Sequence, residues 1–220
     1  MTGKLITIEG IDGSGKGTQS QLLIQKLEEA GKKVRIYSFP AYEETFFGKE
    51  VGAFLRGEFG SIDEVHPKLA SVLYASDRLE QKPKMLKDLQ DGCYVVCDRY
   101  VESNMGHQAA KLPEGEREDL INWLDELEYR VNCLPKPDIT FFLDVPLSVS
   151  KELVLKKKQR SYTDDKEDIH EAAHGYLEKV YQVYQYLNQR NGWCRVPCVE
   201  QGEIRTIEQI NNELLSQLSL

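Results

Sequence analysis

Eleven residues near the amino terminus, Glu9-Gly10-Ile11-Asp12-Gly13-Ser14-Gly15-Lys16-Gly17-Thr18-Gln19, constrain this chain more than any other stretch. They follow the apolar run Leu5-Ile6-Thr7-Ile8 and precede a helical pattern carried by Leu22, Leu23, Leu27 and Ala30. A buried strand, a glycine-rich turn and a helix in that order form a cradle for phosphate. Glycines at 10, 13 and 15 let the backbone turn tightly and aim several N–H groups into one hollow. The helix start adds a positive dipole end, and Lys16 adds a full charge. Gly10-x4-Gly15-Lys16 fits the phosphate-loop pattern up to its last position, where Gly17 replaces the usual Ser or Thr. A hydroxyl at that position normally reaches Mg²⁺. Here the metal is expected to be held by water, by Thr18 or by a distant carboxylate.

The rest of the chain alternates apolar strands with helical patterns. Lys33 to Phe39 reads as strand two, closed by Pro40; Cys93 to Cys97 as strand three; Ile139 to Leu143 as strand four; and Cys194 to Val199 as strand five. Weak helical periodicity covers Thr45 to Leu55. A stronger helix starts at His66 and runs through Leu79, with a restart expected at Pro83 before the stop at Gly92. Further helices are expected over about 102–110, 114–132, 147–156, 169–187 and 207–218. Strands alternating with helices predict an α/β fold with a doubly wound, five-stranded parallel sheet and helices on both faces, the P-loop NTPase arrangement. The whole chain, 1–220, reads as one domain.

Charge and cysteine usage exclude several classes. A net charge of −8 argues against a nucleic-acid polymer or a membrane surface as partner, since either calls for a broad basic face. No apolar run is long enough to span a bilayer, and no signal-peptide pattern precedes the first strand. The five cysteines are odd in number and mostly sit in apolar segments, which fits reduced thiols and a cytoplasmic protein. Cys194 and Cys198 lack the second pair a structural zinc site needs.

In such sheets, ligands lie beyond the carboxyl ends of the strands. Asp98 ends strand three, the place of a magnesium-linked carboxylate. Arg99 follows in the same turn, with a planar fork suited to a phosphate. Tyr74 and Arg78, one turn apart, put an aromatic face and a guanidinium on one side of their helix. The run Lys156-Lys157-Lys158-Gln159-Arg160, followed by Asp164 to Asp168, reads as a mobile basic lid over about 156–168, with Arg160 as its closing arginine.

With these residues placed, the chain resembles the thymidylate kinase family of P-loop nucleoside monophosphate kinases along nearly its full length. The carrying segments are Glu9 to Lys16, Phe39-Pro40, Ala75-Ser76-Asp77-Arg78, Asp98-Arg99-Tyr100 with Ser103 and Gln108, and Pro137-Asp138 before Phe142-Leu143-Asp144-Val145. The resemblance implies phosphorylation of dTMP to dTDP with ATP and Mg²⁺, by a homodimer. It implies that Gly10, Ile11, Asp12, Gly13, Ser14, Gly15, Lys16, Gly17 and Thr18 hold the ATP phosphates. Lys16, Asp98, Arg99 and Arg160 are then the catalytic set, with Asp98 and Thr18 toward the metal. Asp12 would lie near the acceptor 3′-hydroxyl and Phe39 would line the acceptor pocket. Tyr74 would stack on the base, Arg78 would read a base carbonyl, and Arg99 would hold the acceptor phosphate. Ser103, Asn104 and Gln108 would line base and sugar. The chain departs from the family pattern at Gly17, at Ala41-Tyr42, where an acceptor-phosphate arginine is often found, and at His107, a place commonly given to an aromatic ring. Two other readings stay open: a nucleoside monophosphate kinase of another or broad specificity, and a non-catalytic nucleotide-binding switch.

Overall fold

The computed structural model describes residues 3–60, 64–160 and 175–218, with the backbone alone over 154–160. Five strands, β1 (Lys4–Glu9), β2 (Val34–Ser38), β3 (Tyr94–Asp98), β4 (Ile139–Asp144) and β5 (Cys194–Pro197), form one sheet in the order β2-β3-β1-β4-β5. Every neighbouring pair is parallel. The sheet is buried on both faces because its side chains alternate between two apolar layers. Leu5, Val95, Cys97 and Phe142 point into one layer; Ile6, Ile8, Val96, Phe141 and Leu143 point into the other.

Helices cover both layers. On one side lie α3 (Pro67–Gln90), α4 (Val101–Ala109), α5 (Glu114–Asp125) and α7 (Tyr176–Asn191), which contribute Met85, Met105, Leu124 and Tyr184. On the other lie α1 (Lys16–Glu29) and α8 (Ile207–Ser216), which contribute Leu23, Leu27, Ile210 and Leu214. The remaining helices are α2 (Phe46–Leu55) and α6 (Leu147–Arg160).

Three expectations are corrected. α3 continues through Pro83 without a restart. The ring costs one backbone bond toward Leu79, which lies on the exposed side. Buried Ala75, Met85 and Leu89 hold the two halves in line against the core. The helix expected over 114–132 stops at Asp125 and passes into a π-helical turn, Glu126–Val131. Strand five is shorter than expected. After Pro197 a separate antiparallel pair, β6 (Val199–Glu200) and β7 (Glu203–Ile204), closes on Gln201 and Gly202, both at positive φ. Within the helix expected over 169–187, residues 169–174 lie outside the described residues, and α7 begins at Tyr176.

Register brings the site together. Ile8 pairs with Asp98, and Asp98 pairs with Ser38, so the turns after β1, β2 and β3 open at the same level of the sheet. Arg99 N donates to Ile8 O at 3.1 Å and Phe39 N to Asp98 O at 3.1 Å, which ties the three strand ends to one another.

Candidate active site

The glycine loop between β1 and α1 is built around Lys16. Its ammonium folds back and donates to Gly10 O at 2.9 Å and Ile11 O at 2.8 Å. Gly10 has φ +151°, and a Cβ there would sit 2.7 Å from Ser14 Oγ and 3.0 Å from Leu143 O, so the tight turn requires glycine. Gly15 precedes α1 in the left-handed region, and no side chain caps the helix. The first-turn amides of α1 therefore have neither an intrahelical acceptor nor a side-chain one. Burial, and then the charge of Arg99, pull the Lys16 ammonium down to about 8, while Asp12, Asp98 and Glu9 pull it up.

Asp98 closes the other side of this hollow. A Cβ at position 17 would lie 3.2 Å from Asp98 Oδ2, so Gly17 leaves open the space between loop and carboxylate. Asp98 Oδ1 is buried and has no hydrogen-bond partner among the described residues. An orphaned carboxylate oxygen beside a phosphate cradle fits a hard cation shared with phosphate oxygens. Thr18 is exposed, one helical step of roughly 100° around from the face that meets Asp98. Among the described residues no cluster of three His, Cys, Asp or Glu side chains forms a metal site of its own.

A cleft open to solvent adjoins the loop. Asp12, Phe39, Pro40, Tyr42, Tyr74, Arg78, Arg99, Ser103, Asn104, His107 and Gln108 are among its lining residues. Every residue expected to contact an acceptor is therefore in one cavity. Arg99 sits at its junction with the loop, ion-paired through Nη2 to Asp12 and within 3.3 Å of Ser103 Oγ and 3.4 Å of His107 Nε2 through Nη1. Its φ is +67°, a conformation costing about 1–2 kcal/mol for a residue with a Cβ. The cost is borne because the neighbouring amide of Tyr100 donates to Glu9 Oε1 at 2.7 Å.

Glu9 is fully buried and anchors this turn. Besides Tyr100 N, it accepts from the hydroxyls of Ser103 at 2.6 Å and Tyr184 at 2.9 Å. Burial pushes its carboxyl up, while those hydrogen bonds and the charge of Arg99 pull it down. Farther in, Arg78 is gripped by Glu128, which is also fully buried. Arg78 Cζ lies 6.0 Å from the centre of the Phe39 ring. Both amide atoms of Gln108 are buried without a partner among the described residues. A ligand edge with its own donor and acceptor would satisfy them. Asp77, next to Arg78, does not face the cleft; its carboxylate takes Ala41 N at 2.9 Å and the Thr45 hydroxyl, and so holds the loop after β2.

Sequence reasoning placed the cleft residues but missed those that hold them. Glu128 and Tyr184 carried no signal of their own, the first as one acid in a charged helix and the second as one apolar position among several. α6 runs to Arg160, past the end expected near 156, so residues 156–160 of the expected lid are helical, with their side chains outside the described residues, and the rest of it, 161–168, lies outside the described residues altogether. No helix among the described residues is long and apolar enough to cross a membrane.

The comparisons with known proteins agree with this arrangement. A family profile described as thymidylate kinase matches residues 8–209. A thymidylate kinase of Plasmodium falciparum is 28% identical over 218 residues, covering 99% of this chain and 90% of the relative. A probable thymidylate kinase of Thermococcus kodakarensis is 30% identical over 213 residues, covering 94% and 98%. Among solved structures, the thymidylate kinase of Candida albicans superposes with a TM-score of 0.72 at 24% identity, covering 98% of this chain and 90% of that one. That superposition and the parallel sheet behind a glycine loop establish the P-loop NTPase fold. The chain belongs to the thymidylate kinase family.

Proposed function

We propose that this chain transfers the γ-phosphate of ATP to dTMP, giving dTDP, with Mg²⁺ bound at Asp98. One observation carries the reading: the Arg99–Asp12 pair stands where the glycine loop meets the lined cleft, so a guanidinium faces the junction of two anion sites. The loop from Gly10 to Thr18 holds the donor phosphates by its amides, and Lys16 turns from Gly10 O and Ile11 O to the β- and γ-phosphates. Asp98 Oδ1 would hold the metal, which would supply charge to offset that developing on the phosphates. Arg99 grips the acceptor phosphate in line with the donor, and Asp12 orients Arg99 and faces the sugar.

Within the cleft, Phe39 and Tyr74 supply aromatic faces for the base, and Arg78, Asn104 and Gln108 supply polar groups for its edge. Ser103 supports Arg99. With Tyr42 in place of a second arginine, Arg99 carries the acceptor phosphate without another guanidinium from that loop. Arg160 stays in the proposal as the closing arginine on its sequence position alone. Exposed Leu69, Val72 and Leu79 form one stripe of α3 and support a homodimer through that face. Five free thiols, three of them buried, support a reducing, cytoplasmic setting.

Initial rates over a panel of monophosphate acceptors with ATP and Mg²⁺ test the reading. The expected order places dTMP first. Higher turnover of dAMP, CMP or dGMP would retain the kinase and remove the thymidylate assignment, and ATP binding without transfer to any acceptor would leave a switch.

A further inference from the structure

Two polar groups of the cleft are held from behind by one residue that the cleft does not contain. Asn104 is 2% exposed, and its Nδ2 donates to Ser71 O at 3.1 Å and to Glu128 Oε1 at 3.0 Å. A backbone carbonyl and a carboxylate only accept, so the amide cannot be turned over without placing its oxygen against two acceptors. Its Oδ1 is left buried and without a partner among the described residues. The same carboxylate holds Arg78: Nε donates to Oε2 at 3.0 Å and Nη2 donates to Oε1, leaving Nη1 a 3.4 Å contact to Tyr100 O. Glu128 is 0% exposed and reaches the cleft through these two side chains. It projects inward from the π-helical turn that interrupts the helix after Asp125.

We infer that Glu128 is a positioning residue that sets base selectivity, by fixing the place of the Arg78 guanidinium and, together with Ser71 O, by turning Asn104 as an acceptor toward the bound base. This rests on the proposed reading of the cleft as the acceptor nucleotide's site. A donor beside an acceptor matches a base edge that presents a carbonyl beside a ring N–H, as in thymine or uracil. It opposes an edge with an exocyclic amine beside a bare ring nitrogen, as in cytosine. There the amine meets a guanidinium and the ring nitrogen meets Oδ1, leaving four buried groups unpaired. Gln108, with both amide atoms free of partners among the described residues, satisfies either edge by rotating and so does not discriminate alone. A guanidinium that can only donate and an amide turned to accept therefore carry the choice, and Glu128 helps to position both.

The test compares kcat/KM for dTMP and for 5-methyl-dCMP, which differ only along that edge, in the full chain with ATP and Mg²⁺. Glu128→Gln removes the charge that grips Arg78 and leaves Ser71 O as the one fixed acceptor behind the Asn104 amide, so both side chains lose their set positions. The expected result is a fall of the dTMP preference by at least about tenfold, seen mainly in the two acceptor KM values, with KM for ATP nearly unchanged. If Glu128→Gln does not fold, Glu128→Asp is read instead. It keeps the charge but withdraws it by one methylene, and the preference is again expected to fall. A folded variant that loses both acceptors equally, or keeps the wild-type ratio, overturns the inference. A wild-type enzyme that prefers 5-methyl-dCMP, or turns over neither, overturns the functional reading beneath it instead.

Discussion

Gly17 and Asp98 face each other across the mouth of the glycine loop, with the Cβ position of residue 17 lying 3.2 Å from Asp98 Oδ2. The contact is with the end of a movable side chain, and position 17 lies within α1, so a serine fits with a small shift and improves helix propensity by a few tenths of a kcal/mol. Its hydroxyl then stands beside the orphaned carboxylate, where a cation shared with phosphate needs ligands. Gly17→Ser is expected to lower the Mg²⁺ concentration for half-maximal rate several-fold. An unchanged or higher requirement in an Mg²⁺ titration of initial rates contradicts the assignment of Asp98 to the metal.

Lys16 gives the pH dependence of donor binding. Its ammonium is drawn down to about 8 by burial and by Arg99, so above that pH the free protein loses the loop's full charge. Each further pH unit is expected to reduce kcat/KM for ATP by about tenfold. Bound phosphates favour the protonated lysine, so kcat at saturating ATP is expected to hold to higher pH. A kcat/KM profile for ATP that stays flat to about pH 10 would contradict this.

Glu102 carries a pH-dependent stability cost. Burial, and then the neighbouring Glu9, push its carboxyl up from 4.5 to about 7, although it accepts from the Tyr129 hydroxyl at 2.8 Å. Between those values the native protein keeps a proton that the unfolded chain has lost, so stability falls as pH rises through the window. Glu102→Gln retains an acceptor for Tyr129 and cannot ionise. Relative to wild type it is expected to gain on the order of 2 kcal/mol more at pH 8 than at pH 4.5. Urea unfolding at the two pH values reads the difference, and an equal effect at both would refute the buried charge.

What could be read from the chain alone follows from what is local. The glycine loop, the apolar runs of β1, β3 and β4, and the Asp98-Arg99 turn are contiguous signals, and parallel register then sets them at one level. Tyr74 and Arg78 were legible because one helical turn puts them side by side. The failures are tertiary. Pro83 is a helix breaker by local rule, but core packing of α3 overrides it. The π-helical turn at 126–131 adds one residue to a hydrogen-bonded ring, a change without a compositional mark, yet it helps turn Glu128 inward. In the sequence Glu9 is only the residue ahead of the loop. Its partners, Ser103 and Tyr184, lie 94 and 175 residues away.

The central claim is that two nucleotides lie end to end, one on the glycine loop and one in the cleft, with their phosphates meeting near Arg99. The most direct measurement is calorimetric binding of adenosine and thymidine joined 5′ to 5′ through a chain of phosphates, with Mg²⁺ present. The account predicts one linked molecule per chain, bound at least about 100-fold tighter than either nucleotide and displaced by both ATP and dTMP, because one event fills both sites. Binding no tighter than ATP, or displacement by ATP alone, would contradict it.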